Sequence, residues 1–134
     1  MSLKNVRLEV MQYLEKDVDS LIEKYLIPID NIWQPTDFLP NSEGENFMEE
    51  VKEIRELSKE LPYDFWVVLV GDMITEEALP TYESWLMDVE GVDQVGRNSW
   101  GKWVRHWTAE ENRHGDVLNK YLYLSGRVNM KEIE

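Results

Sequence analysis

The spacing of apolar residues predicts an amphipathic helix at the N-terminus. From Leu3 to about Leu26, apolar side chains recur every three or four residues, and charged residues fill the positions between them. The stripe consists of Leu3, Val6, Val10, Tyr13 or Leu14, Val18 and Leu21. Three prolines within residues 27–44 break regular structure, so this segment is expected to be a loop, ordered by burial of its aromatic and aliphatic side chains.

Helical spacing returns three times after this loop. Asn46 to Leu61 has the pattern of a surface helix, and the next helix is expected from about Pro62, which suits a first-turn position, to Val89. A fourth helix is predicted from about Asn98, a residue type that suits the N-cap, to Leu124. Residues 129–132 have the pattern of a capping box and predict the start of a fifth helix. The fold class is therefore expected to be all-α.

The length and composition limit what the chain can be. With 134 residues it is long enough for one hydrophobic core, so residues 1–134 are expected to form a single domain. Since only two residues follow the last capping box, we expect this domain to be part of a longer one, although a frayed tail is the alternative. No apolar run is long enough to cross a bilayer, and no signal peptide is recognised, which predicts a cytoplasmic protein without membrane contact, or a plastid stromal one if it comes from a plant.

The net charge of −13 disfavours nucleic-acid binding, because phosphates would be repelled. Residues 97–131 differ from the rest, with seven Lys and Arg against three Asp and Glu. Such a segment suits contact with an acidic partner, and a helix with a solvated cationic face explains it equally. The residues predicted to make such a contact are Lys102, Arg105, Lys120 and Arg127.

Two of the predicted helices carry metal-binding residue types where their stripes should be apolar. Glu111 and His114 share a stripe of the fourth helix with three tryptophans, and Glu76 lies in the stripe of the third helix. The tryptophans are Trp100, Trp103 and Trp107. Burying a carboxylate is costly unless it is paired or binds a cation. The chain contains no cysteine, so any metal must be held by His, Asp or Glu.

Di-iron helical bundles use a Glu from each of two helices and a Glu-x-x-His from each of two others, and this chain has one of each. Carboxylate oxygens are hard ligands that suit iron ions and can bridge them. An exposed ion pair is the alternative explanation of a Glu-x-x-His. Pro80 has no N–H to give to the carbonyl of Glu76, so it predicts a kink there, with or without a functional role.

Three runs of sequence resemble the soluble acyl-acyl-carrier-protein (acyl-ACP) desaturases. They are WQPTDFLP at 33–40, FWVVLVGDMITEEALPTY at 65–82, and WTAEENRHGD at 107–116, which continues through NKYLYLSGR at 119–127. The resemblance covers nearly the whole chain but only the N-terminal part of the family's enzyme. It implies a ferritin-like helical bundle, of which this chain holds the first half of the four-helix di-iron core together with N-terminal helices.

The resemblance also implies an activity. Members are homodimers that use two carboxylate-bridged iron ions (Fe2+/Fe3+), O2 and electrons from ferredoxin to introduce a cis double bond into a fatty acyl chain carried by acyl carrier protein. It implies that Glu76, Glu111 and His114 bind iron and are catalytic. It further implies that Trp85, Leu86 and Val89 line the far end of the acyl channel. An indole at Trp85 would shorten that channel and predicts a preference for acyl chains shorter than stearoyl, such as palmitoyl, unless the ring turns outward.

Two other classes of function remain open on the residues alone. A half-size ferritin-like protein would complete a di-iron site by homodimerisation, with each copy supplying one Glu and one Glu-x-x-His. An interaction module would bind an acidic carrier through its charged helices without catalysing a reaction. A second Glu-x-x-His encoded downstream would favour the desaturase, and a stop codon would favour the half-size protein.

Overall fold

The computed structural model describes residues 2–133, and every regular element among them is helical. The α-helices are α1 (Leu3–Tyr25), α2 (Phe47–Ser58), α3 (Tyr63–Glu77), α4 (Leu79–Met87), α5 (Ser99–Ser125) and α6 (Met130–Ile133), and short 3-10 helices span Ile29–Asn31 and Pro35–Asp37. The all-α prediction is confirmed, and these helices are consistent with part of a ferritin-like bundle. The predicted fifth helix start is also confirmed, since α6 follows Asn129 directly.

The helix predicted from Pro62 to Val89 is interrupted at Ala78, which separates α3 from α4. The N–H of Ala78 donates to the carbonyl of Thr75 at 3.2 Å, a 3-10 rather than an α-helical bond. Pro80 follows two residues later and cannot donate to the carbonyl of Glu76. The helix is therefore interrupted where Pro80 predicts, just after Glu76.

The chain divides into two compact units, which are described separately. Unit 1 contains the residues up to Ile32 together with Leu79–Glu110, and unit 2 contains Trp33–Ala78 together with the residues from Glu111 onward. That residues 1–134 form a single domain stays a prediction.

In unit 1, α1 packs with a different face from the predicted apolar stripe. Val18 is buried, but Leu3 is 67% exposed and Val10 is 50% exposed. Two acidic residues of α1, the half-buried Glu15 and the exposed Asp19, bond to the start of α5. Glu15 accepts the backbone N–H of Ser99 at 3.1 Å, and Asp19 accepts the hydroxyl of the same serine at 2.6 Å. These carboxylates satisfy donors at the N-terminus of α5 and complement its dipole, which is why polar positions of α1 face the rest of the unit.

The loop before α5 is organised by Asn98. Its side-chain amide donates to the carbonyl of Gly91 at 2.6 Å. Its side-chain oxygen accepts the N–H groups of Asp93 at 3.0 Å and of Gly101 at 2.9 Å. The predicted N-cap role of Asn98 is therefore confirmed, because the bond to Gly101 satisfies one of the donors left open in the first turn of α5.

The core of unit 2 forms between α3 and the C-terminal half of α5. Its buried residues are Trp66, Met73, Leu122 and Met130. Trp66 stacks on Tyr121 at 6.1 Å, whereas Glu76, near the other end of α3, lies beside His114. The two helices therefore run in opposite directions. This apolar contact holds the end of α3 against the middle of α5, where the candidate metal ligands lie.

Two arginines join α2 to the C-terminus of α5. Arg55 of α2 donates to the carbonyl of Leu124 at 3.1 Å. Arg127 donates in turn to the carbonyls of Ser58 and Lys59, at 3.3 and 3.2 Å. Arg55 thus satisfies a carbonyl at the end of α5, and Arg127 satisfies carbonyls at the end of α2. The helix dipole also favours a cation at a helix C-terminus.

Two glycine-to-alanine substitutions should have opposite effects on stability. A Cβ at Gly101 would lie against the carbonyl oxygen of Asp93 and 2.8 Å from the Cα of Gly96, so Gly101→Ala should lower the free energy of unfolding by about 1–3 kcal/mol. A Cβ at Gly71 within α3 would meet no described atom within 4 Å. Gly71→Ala should therefore raise this free energy by about 0.5–1 kcal/mol through helix propensity. Urea unfolding followed by circular dichroism would measure both, and equal or reversed effects would contradict the packing around Gly101.

Candidate metal centre

Three predicted ligands lie together in unit 2. Glu76 is in the last turn of α3, and Glu111 and His114 are three residues apart on α5, so they share one face of that helix. One ligand atom from each of the three residues lies within 4.8 Å of the others. The Nδ1 atom of His114 is 3.1 Å from an Oε2 atom of Glu111 and 3.8 Å from Oε2 of Glu76. All three side chains are partly buried, so the group forms a compact set of two carboxylates and one imidazole.

The surroundings of Glu76 raise the pKa of its carboxyl group. Burial raises the pKa of Glu76 above its ordinary value, and Glu111 raises it further through a hydrogen bond and through its negative charge. His114 acts in the opposite direction, and Asp72 adds a smaller upward contribution. Two carboxylates held this close repel each other, and a bound cation would relieve the repulsion because it neutralises both at once.

The donor set therefore fits a metal ion. Two carboxylate oxygens and one imidazole nitrogen suit divalent iron, manganese or zinc, and this choice of donors alone does not distinguish among them. One oxygen of each carboxyl group and the imidazole nitrogen lie within 4.8 Å of one another, close enough to share one positively charged species. We conclude that Glu76, Glu111 and His114 are compatible with a metal site.

Aromatic residues cover one side of the His114 ring. Trp33 stacks nearly parallel to it, with centroids 5.7 Å apart and an angle of 12° between the ring planes. Phe38 packs edge-on against Trp33 at 5.5 Å, and the guanidinium of Arg113 lies 5.5 Å from the Trp33 ring. Trp33 was not among the predicted site residues, because no periodicity links residues 81 positions apart. The run at 33–40 contributed to the family resemblance, but a resemblance in sequence does not show which residues this segment contacts.

The predicted channel residues lie in unit 1, whereas the candidate ligands lie in unit 2. Trp85 is 65% exposed and packs edge-on against Tyr82 with centroids 5.9 Å apart. Leu86 is half-buried, and Val89 is 37% exposed. Their role in lining an acyl channel stays a prediction.

The predicted tryptophan stripe is only partly buried. Trp100 donates its indole N–H to the carbonyl of Met11 at 2.9 Å, and this bond fixes it against α1. Trp103 is 41% exposed, contrary to the expectation that it faces a core, and it stacks on Trp107 at 6.4 Å. Trp100 and Trp103 also line an apolar cavity of about 390 Å³ in unit 1.

Three of the four predicted carrier-contact residues bind groups of this chain. Arg105 pairs with Glu83 at 2.7 Å and also donates to the carbonyl of Gln94, while Lys120 pairs with Asp116 at 2.6 Å. Arg127 binds the carbonyls that end α2. These three and Lys102 are all exposed. Exposure is compatible with a carrier contact, and their assignment stays a prediction.

Comparison with known proteins identifies the family. The family model described as fatty acid desaturase matches residues 6–134, so the chain belongs to the fatty acid desaturase family. The stearoyl-[acyl-carrier-protein] 9-desaturase 5, chloroplastic, of Arabidopsis thaliana is 57% identical over 136 residues, which cover 99% of this chain and 34% of that protein. The resemblance to acyl-ACP desaturases is thereby confirmed.

Relatives with different substrates in their names match about equally well. The stearoyl-[acyl-carrier-protein] 9-desaturase, chloroplastic, of Elaeis guineensis var. tenera is 56% identical, over 99% of this chain and 35% of that protein. The palmitoyl-[acyl-carrier-protein] 4-desaturase 3, chloroplastic, of Ophrys sphegodes is 53% identical, over 99% of this chain and 34% of that protein. The chain thus spans about a third of the length of these relatives. No helix within residues 2–133 is long and apolar enough to cross a membrane.

The raised pKa of Glu76 predicts how the stability of the metal-free protein depends on pH. The native state holds a proton that the unfolded chain has already released, so the free energy of unfolding should fall as pH rises through the pKa of native Glu76. Glu76→Gln should remove this part of the dependence. Urea unfolding in EDTA at a series of pH values would measure it, with Glu53→Gln in α2 as an exposed control. Parallel curves for wild type and Glu76→Gln would contradict the prediction.

Proposed function

We propose that this chain provides three iron ligands to the di-iron centre of an acyl-ACP desaturase. The observation that carries the proposal is the convergence of Glu76, Glu111 and His114 within 4.8 Å. One Glu on one helix and a Glu-x-x-His on another is the donor pattern of half a di-iron bundle site. The names of the relatives, all acyl-ACP desaturases at 53–57% identity, favour this function over a half-size ferritin-like protein or an interaction module.

Each side chain has a distinct role in the proposed centre. The carboxylates of Glu76 and Glu111 would supply oxygen ligands, and their oxygens converge on the same place as the His114 ring. His114 would supply a nitrogen ligand, and the stacked ring of Trp33 limits its rotation. When bound, the two iron ions would supply the redox chemistry with O2 that removal of hydrogen from an unactivated acyl chain requires.

The reaction defines the partners. Forming one C=C bond releases two hydrogen atoms, and complete reduction of O2 to two water molecules takes two further electrons and two protons. We propose reduced ferredoxin as the electron donor and acyl carrier protein as the bearer of the acyl chain, in a homodimeric enzyme. The exposed residues Lys102, Arg105, Lys120 and Arg127 remain our candidates for contact with the acidic carrier. Since the relatives are chloroplastic by name, the plastid stroma is the proposed location.

Removal of any one ligand should reduce iron binding. Glu76→Ala, Glu111→Ala and His114→Ala each take away a donor and leave the other buried groups unsatisfied, so we expect the iron content of the purified protein to fall by at least half and desaturation of acyl-ACP to be lost. His106 is the other histidine of the chain, and His106→Ala is the matched control. Unchanged iron stoichiometry in His114→Ala would overturn the assignment.

The proposed channel role of Trp85 predicts substrate preference. If the indole closes the channel, the enzyme should prefer palmitoyl over stearoyl carriers, and Trp85→Met should shift the ratio towards stearoyl. A misfit of one methylene costs about 1–3 kcal/mol, or roughly 10- to 200-fold in relative turnover. Competition assays with both carriers would measure the ratio in each form. The outward position of Trp85, 65% exposed, is the competing arrangement, and identical ratios in the two forms would support it.

A further inference from the structure

A side-chain hydrogen bond links the two helices of unit 2 that carry the candidate ligands. The side-chain amide of Asn119 on α5 donates to an Oε1 atom of Glu77 on α3 at 2.7 Å. Glu77 follows Glu76 directly, and Asn119 lies five residues after His114. Neither residue belongs to the proposed ligand set. We propose that Glu77 and Asn119 form a positioning pair that fixes the register of α3 against α5, and so the placement of Glu76 relative to Glu111 and His114. This inference rests on the proposed metal centre.

The end of α3 needs such a connection because helical hydrogen bonding is interrupted between α3 and α4. The α-helical bonding ends at Glu77, and the N–H of Ala78 turns back to Thr75. Pro80 offers no N–H to the carbonyl of Glu76. Glu76 therefore lies in a terminal turn, where helices fray most readily. The hydrogen bond between Glu77 and Asn119 ties this last turn of α3 to the interior of α5.

The other contacts between α3 and α5 do not fix the register as closely. The core around Met73 and Leu122 is apolar, and apolar contacts have no preferred direction. A Cβ added at Gly115 would lie 3.5 Å from Glu76 and Glu77, so the helices approach closely there but do not interlock. The Glu77–Asn119 bond is directional, and it lies beside the ligand group. We infer that it determines the final placement of the Glu76 carboxylate.

A charge-conserving exchange tests the pair. Asn119→Asp replaces the donor with a second carboxylate and breaks the bond. Adding Glu77→Gln lets the new side-chain amide donate to the carboxylate introduced at position 119, which restores the bond in the opposite direction with the charge of the wild type. Glu77→Gln alone keeps a side-chain oxygen that can accept the hydrogen bond from Asn119, so this variant should retain the bond. Outer residues that orient metal ligands affect affinity by about 10- to 100-fold, so we expect a loss of that size in Asn119→Asp and recovery in the double variant.

The readout is Co2+ affinity of the purified protein, from visible absorption, alongside the melting temperature of the metal-free form. The negative charge added by Asn119→Asp would by itself strengthen cation binding, so weaker binding reports displacement of a ligand. Lys59→Gln is the control, because it removes a bond of 2.6 Å to Glu56 that involves neither α3 nor α5. A purely structural role would lower the melting temperatures without changing the Co2+ affinity of folded protein.

The outcomes separate this inference from the function on which it rests. Absence of Co2+ binding by the wild type would overturn the metal centre and the positioning role together. Binding by the wild type that is lost in His114→Ala but unchanged in Asn119→Asp would overturn the positioning role alone, as would failure of the double variant to recover. If Asn119→Asp does not fold, Glu77→Ala, which breaks the same bond by removing the acceptor, must bind Co2+ more weakly than Glu77→Gln, which has the same charge and keeps an acceptor.

Discussion

The repulsion between two partly buried carboxylates is the constraint on which the site depends. Glu76 and Glu111 come from different helices, and burial together with the negative charge of Glu111 raises the pKa of Glu76. Two apolar side chains at these positions would stabilise the fold without any bound cation. Two carboxylates need a neutralising positive charge, so they suit metal binding at the expense of the stability of the metal-free protein. The fold has to hold the two groups together against this repulsion. It does so through the core around Met73 and Leu122 and the close approach at Gly115.

Charged side chains in both units serve helix ends. Glu15 and Asp19 satisfy donors at the start of α5, and Arg55 and Arg127 satisfy carbonyls at the ends of α5 and α2. Charge patterning along a sequence cannot distinguish these roles from partner binding, because both use the same residue types in the same helices. The positive charge of residues 97–131 therefore has a partly structural role, since Arg127 binds backbone carbonyls within unit 2.

Local patterns predicted what depends on neighbours in sequence. The helices, the Asn98 cap, the helix interruption near Pro80 and the shared face of Glu111 and His114 all follow from spacing within a few residues, and the structure contains each of them. The stacking of Trp33 on His114 and the inward face of α1 depend on contacts between distant segments. Helical periodicity misplaced the inward face of α1 because it registers apolar positions alone, whereas Glu15 and Asp19 bond to the N-terminus of α5.

The ligand count sets what this chain can do within the proposed centre. A di-iron bundle site uses two Glu residues and two Glu-x-x-His pairs, six side chains in all, and Glu76, Glu111 and His114 are three of them. With neutral His114, two ionised carboxylates compensate one divalent ion but not two. Iron bound by these residues alone should therefore be held more weakly, and with more coordinated water, than in a complete site. The remaining charge and ligands have to come from elsewhere in the enzyme, and relatives about three times as long as this chain offer room for them.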